Sequence, residues 1–183
     1  PDGASLDLLT QSVGRVCSPY EVRIAGGSKE GEIEVRTPFG MSGYWTVQGV
    51  ELVDMSAVWR GTGDVGAILP DGDIVLRGRV HDIFKSGGYN IYPSEIEAAL
   101  EAHQNVAKAA VVGVEDQLFG QAGWAFVLAK GRKPTEEELR SHLTVRLANY
   151  KIPKRFIFVD TLAYLPIGKV DKAQLHKIAR GLS

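Results

Sequence analysis

The sequence predicts an α+β chain in two parts, an all-β stretch up to Arg79 followed by a small α+β domain. Three observations predict it. Apolar residues alternate with polar ones and are punctuated by glycine before Arg79. After Arg79, Ser94/Glu97 and Thr135/Glu138 both carry the spacing of a helix capping box. Leu139, Leu143 and Leu147 then recur every four residues, the apolar stripe of a helix.

In order along the chain, Tyr20, Val22 and Ile24 alternate with polar partners, and Ile33 and Val35 do so after Gly31. Period-two alternation with glycine breaks predicts half-buried antiparallel strands. Residues 66–78 read as a hairpin whose turn chemistry comes from Pro70-Asp71-Gly72. Ser94 opens a helix with Ile96 and Leu100 on one face. Residues 106–114 and 124–129 are apolar enough for buried strands, and Arg155–Val159 is another. A last helix starts near Asp171, with Leu175, Ile178, Ala179 and Leu182 as its inner face. The leucine stripes are core positions rather than a cofactor box.

The 183 residues suffice for one medium domain or two small ones, and 44% are hydrophobic. A net charge of -1 gives no whole-chain field for nucleic acid or an anionic membrane. Basic residues nevertheless gather after Lys130, a local excess that suits either a phosphate-bearing ligand or a solvated face. A lone cysteine, Cys17, allows no intrachain disulfide and fits a reducing, cytoplasmic setting. No apolar run is long enough for a transmembrane helix. The chain opens PDGASLDLL without methionine and reads as cut from a longer protein.

Four ordered segments carry chemistry: Gly43-Tyr44-Trp45, WRGTGDVG at 59–66, GRVHDIFKSGGYNIYPSEIE at 78–97, and LPIGKVDK at 165–172. The carboxylate of Thr62-Gly63-Asp64 could accept hydrogen bonds from a vicinal diol, or the motif could be a plain strand-end turn. Arg79 is a planar, permanent cation suited to ribose oxygens or phosphate, and alone it would be a surface arginine. The consecutive Gly87 and Gly88 allow close approach of a ligand or backbone, or simply form a loop before the helix. Lys169 follows a glycine just ahead of a helix and can bridge a carboxylate and a phosphate; alone it is a solvated lysine. The glycine spacing of a P-loop is absent.

Taken together, these segments resemble the adenylate-forming superfamily of acyl- and aryl-CoA synthetases, luciferases and peptide-synthetase adenylation domains. The resemblance runs from about Gly14 to the end. It implies that residues 1–79 are the last antiparallel β subdomain of a missing large N-terminal domain. Residues 80–183 would be the mobile C-terminal domain. It also implies that Asp64 and Arg79 bind the ATP ribose, and that Lys169 contacts carboxylate and phosphate during adenylation. Lys85, Ser86, Gly87, Gly88 and Tyr89 would border the channel for CoA. Mg2+ would come with ATP, held mainly by the missing domain.

The implied mechanism makes an acyl-adenylate and pyrophosphate from a carboxylic acid and ATP. A rotation just after Arg79 then exchanges Lys169 for the KSGG segment and lets CoA take the acyl group. FKSGGYNIYPSEIE looks like the acyl-CoA synthetase form of its segment. The hinge position, usually Asp or Lys in the family, is His81, which either makes rotation pH-sensitive or is a tolerated polar residue. The family's Ser/Thr/Gly-rich phosphate loop is absent, so the chain alone is expected to be inactive. Two alternatives are an adenylation domain that loads a carrier protein and a non-catalytic module that kept the fold. These motifs do not separate acyl transfer from luciferase-like oxidation.

Overall fold

The computed structural model describes residues 12–40, 43–52 and 58–182. The chain divides into two compact units, parting between His81 and Asp82. Strands β1 (Ser12–Arg15), β2 (Glu21–Ile24), β3 (Glu30–Arg36), β6 (Arg60–Ile68) and β7 (Asp73–Arg79) form an antiparallel sheet in the order β1-β7-β6-β3-β2. Strands β4 (Gly43–Thr46) and β5 (Gly49–Leu52) make a separate hairpin.

Alternation sorts the side chains of the first unit in part. Ile24 and Ile33 are buried, as are Val65 and Val75, whereas Val22 and Val35 are half-buried and Tyr20 is exposed, outside β2. In-register cross-strand partners on β2 and β3 pair opposite charges, Glu21 with Arg36 and Arg23 with Glu34. Trp59 lies against both guanidinium groups, 4.4 Å from that of Arg23 and 4.9 Å from that of Arg36. The 66–78 hairpin forms with its turn at Leu69–Gly72, closed by the Gly72 N–H on the Leu69 carbonyl at 2.9 Å. Gly72 has φ +90°, a conformation that glycine alone adopts without strain.

The second unit is a mixed sheet with helices on both faces. Strands β8 (Phe84–Ser86), β9 (Tyr89–Ile91), β10 (Val106–Asp116) and β11 (Gly120–Ala129) run in the order β10-β11-β8-β9, and β12 (Arg155–Val159) adds parallel to β11. Because β10 and β11 are buried on both faces, each splits by parity. Ala109, Val111, Ala125 and Val127 pack with α1 (Pro93–Glu101) and α2 (Glu136–Thr144) through Ile96, Leu100, Leu139 and Leu143. Ala110, Val112, Val114, Trp124 and Phe126 pack on the other face with Leu175 and Ala179 of α3 (Lys172–Gly181). This two-sided burial is why both segments read as continuous apolar runs.

Four local expectations change. The Ser94/Glu97 capping box does not form. Pro93 takes the first helical position, Tyr92 is the N-cap without a side-chain cap, and the Glu97 carboxylate instead accepts the Val111 N–H at 2.8 Å. The Thr135/Glu138 box does form, with both reciprocal bonds present. Leu147 lies beyond the end of α2, although its N–H still reaches the Leu143 carbonyl at 2.8 Å and it packs against the core. Ile178 and Leu182 are exposed, since the row that faces the sheet is Leu175 and Ala179, flanked by half-buried Lys172 and His176. Finally, KSGG is a tight hairpin rather than a loop. Gly87 (φ +55°) and Gly88 (φ +88°) are its two central residues, and that turn geometry demands positive φ at both.

Candidate functional site

In the first unit, the Thr62-Gly63-Asp64 segment lies where the β3–β6 ladder slips register. The Thr62 hydroxyl donates to the Ile33 carbonyl at 2.9 Å and accepts the Asp64 N–H at 3.1 Å. Gly63 adopts φ +75° and gives its N–H to the Glu32 carboxylate at 3.1 Å. A Cβ on Gly61 would lie 2.3 Å from that same carboxylate, so Gly61 leaves room for it. Asp64 is thereby turned toward its cross-strand partner Arg79, and Asp64 Oδ1 lies 2.9 Å from Arg79 Nε. Both side chains are partly exposed, so the pair adds about 0–1 kcal/mol of stability. Its larger effect is to fix a carboxylate beside a guanidinium, an arrangement able to receive hydroxyl groups and to donate to oxygens. His81, two residues on, is exposed.

In the second unit, the Lys85–Tyr89 hairpin is tied down at several points. Gly87 N–H donates to the Phe119 carbonyl at 3.0 Å, and Lys85 N–H to the Gln121 side chain at 3.3 Å. Tyr89 stacks on Tyr150 with ring centroids 4.3 Å apart. Beneath the hairpin, Phe84 sits on a bare patch made by the cross-strand pair Gly113 and Gly123. A Cβ on Gly113 would lie 2.4 Å from Phe84 Cγ, and one on Gly123 would lie 3.3 Å from Phe84 Cζ.

Beside the hairpin is a cavity of about 210 Å³, lined in part by Ser86, Tyr89, Phe119, Tyr150 and Ile152. Its two lysines already have partners: Lys151 reaches Glu95 at 2.6 Å, and Lys154 pairs with Asp116. The Lys154 ammonium, with the Phe119 and Leu118 N–H groups, holds the Asp116 carboxyl below the usual range. With its cations neutralised, the cavity suits a slim neutral chain better than a phosphate.

Lys169 belongs to a third local structure. The turn Leu165-Pro166-Ile167-Gly168 is closed by Gly168 N–H on the Leu165 carbonyl (2.9 Å) and by Leu165 N–H on the Lys169 carbonyl (2.7 Å). Gly168 has φ +78°. Tyr164 and Val170 bridge behind it, and the Asp171 side chain caps α3 through the Gln174 N–H. The Lys169 backbone is thus fixed, while its exposed ammonium has no ion pair or hydrogen bond among the described residues.

Sequence reasoning missed the residues that support these sites. Glu32 orients the Thr62–Asp64 turn and belongs to no recognisable motif. Gly113 and Gly123 were visible as glycines inside apolar strands, a known sign of close approach. Among the described residues, no group of three or more His, Cys, Asp or Glu side chains could hold a metal ion. No helix among them is long and apolar enough to cross a membrane.

Residues 95–169 match the AMP-binding enzyme C-terminal domain, and the match ends on Lys169. The chain is 37% identical to a 2-succinylbenzoate–CoA ligase of Geobacillus kaustophilus, over 91% of this chain and 36% of that protein. It is likewise 37% identical to a fatty acid–acyl-carrier-protein ligase of Streptomyces coeruleorubidus, over 79% of this chain and 28% of that protein. The solved o-succinylbenzoate CoA synthetase of Bacillus subtilis, in complex with its acyl-adenylate intermediate, superposes with a TM-score of 0.82. There the identity is 32%, covering 91% of this chain and 35% of that one. The chain therefore spans about a third of the length of the relatives it matches. With this fold, domain match and level of identity, the chain belongs to the adenylate-forming superfamily and represents its C-terminal portion.

Proposed function

We propose that the chain is the C-terminal part of an ATP-dependent acyl-CoA synthetase that acts together with a large N-terminal portion of the same protein. The observation that carries this reading is Lys169, a lysine held by its backbone and unpaired at its ammonium among the described residues, at the end of the matched domain. A carboxylate oxygen of the acid attacks the α-phosphorus of ATP and pyrophosphate leaves, giving the acyl-adenylate. Lys169 steadies the negative charge on carboxylate and phosphate as that bond forms. Asp64 accepts hydrogen bonds from the ribose hydroxyls and Arg79 donates to its oxygens. Mg2+ arrives with ATP and is held mainly by the N-terminal portion.

Residues 1–79 then serve as the end of the large domain and 80–183 as the mobile one, with His81 at the hinge. After rotation, the CoA sulfur attacks the acyl carbon and AMP leaves, while the thiol proton is lost. The Lys85-Ser86-Gly87-Gly88-Tyr89 hairpin and its neutral cavity border the path of the pantetheine arm. The substrate is a carboxylic acid of fatty-acid character, and the setting is cytoplasmic.

A carrier-protein acceptor is the second reading, favoured by the likeness to a carrier-protein ligase. A non-catalytic module would have no use for Asp64, Arg79 and Lys169 together. Acyl-thioester formation by the full-length protein, with free CoA and an acyl-carrier protein offered in parallel, tests the proposal. Acyl-CoA as the main product supports it. Exclusive loading of the carrier supports the second reading, and neither product refutes both. The chain alone should give no carboxylate-dependent pyrophosphate exchange.

A further inference from the structure

Lys172, three residues beyond Lys169, sits at the first position of α3. A cation there faces the positive end of the helix dipole, which disfavours it. It is nevertheless half-buried and makes two ion pairs, to Asp82 Oδ2 at 2.9 Å and to Glu97 Oε1 at 3.0 Å. Glu97 Oε1 also accepts the Val111 N–H at 2.8 Å, which anchors the cluster to β10. Asp82 is the residue directly after His81 and the first of the second unit. Between Lys169 and Lys172 there is no slack. Val170 bridges to Tyr164, Asp171 N–H bonds the Ala163 carbonyl at 2.9 Å, and Lys172 N–H bonds the Val170 carbonyl at 3.1 Å. The cluster joins the start of the unit, α1, β10 and the base of the Lys169 turn at one point.

We propose that Lys172 is a positioning residue that locks the base of the Lys169 turn to Asp82, so that movement at His81 carries Lys169 as part of one rigid body. The inference rests on the catalytic reading of Lys169. Stability alone is a poor account of such a cluster, because apolar replacement of partly buried ion pairs is often neutral. Misplacement of a catalytic group is not neutral: about 1 Å can cost roughly 10²-fold in rate.

The test compares Lys172→Met with wild type in the full-length protein, measuring carboxylate-dependent pyrophosphate exchange and thioester formation from supplied acyl-adenylate. The expected result is a roughly 10- to 100-fold loss of adenylation, at least several-fold larger than any loss of thioester formation. Lys172→Met/Asp82→Asn should adenylate no worse than Lys172→Met, as residues acting through one contact are not additive. Unchanged adenylation, equal loss in both half-reactions, or a larger loss of thioester formation overturns the proposal. Should Lys172→Met fail to fold, Asp82→Asn reads the same split with the Lys172–Glu97 pair intact. Lys169→Ala, run alongside, separates the two claims. If it retains adenylation, the catalytic reading fails; if it loses adenylation while Lys172→Met does not, only the positioning role fails.

Discussion

Replacing Gly113 with alanine puts a methyl group 2.4 Å from Phe84 Cγ and 2.6 Å from Phe84 Cβ. Carbon atoms pack best at about 3.5–4.0 Å, so the gap is short by roughly 1 Å or more. Rotating the ring does not relieve the clash, because Phe84 Cβ is fixed to the backbone of β8. The strand itself must move, against the bonds that hold Lys85 to Gln121 and Gly87 to Phe119. Such overpacking costs about 1–3 kcal/mol. For a unit of about a hundred residues, about 2 kcal/mol lowers Tm by roughly 8–16 °C. Gly123→Ala is the internal comparison. Its Cβ would press only on the far end of the ring, at 3.3 Å, with Pro153 Cα and Val111 Cγ1 at an ordinary 3.7 Å, and stiffening of the strand by about 0.5–1 kcal/mol offsets that. Calorimetry of the two variants should show the second unit's transition falling for Gly113→Ala and shifting little for Gly123→Ala. Equal shifts, or none for Gly113→Ala, would refute the packing argument.

Three further expectations concern α2. Thr135→Ala removes half of the capping box and should cost about 1 kcal/mol, read by denaturant unfolding. Arg132, helped by the Thr135 N–H, holds the Glu138 carboxyl down to about 2. The associated stability is present above about pH 4.5 and is lost as pH falls toward about 2, so Glu138→Gln should flatten the acid limb of a Tm–pH curve. His142 has the opposite chemistry. Burial lowers its pKa against the raising effect of its 2.9 Å contact with the Ala99 carbonyl. The unfolded chain then binds the proton first, so the contribution is present above about pH 6.5 and fades below it. His142→Gln should reduce that slope; His176, lowered by burial and by Arg180, contributes in the same sense.

What was legible in the sequence was local. Arg155–Val159 is a strand with the bounds its apolar run suggested, and the Thr135/Glu138 box needs only residues three apart. The same template misread Ser94, because one proline before it moved the start of the helix. Periodicity placed α3 but not its buried flank, since the facing sheet decides that Leu175 is covered and Ile178 is not. Gly87-Gly88 reads in the sequence as a loop, although two glycines between short strands are the signal of a tight hairpin turn. Asp64 and Arg79 were named separately, whereas their pairing depends on strand register across a hairpin. The contacts of Phe84 with Gly113 and of Lys172 with Asp82 join distant residues, which no short motif records.

The measurement that bears most directly on the account is Lys169→Ala in the full-length protein, with the two half-reactions assayed separately. Carboxylate-dependent pyrophosphate exchange should fall by roughly 10²–10³-fold, as for loss of a group that stabilises transition-state charge. Thioester formation from supplied acyl-adenylate should be largely retained. Equal loss of both half-reactions, or full retention of adenylation, would contradict the role assigned to this lysine.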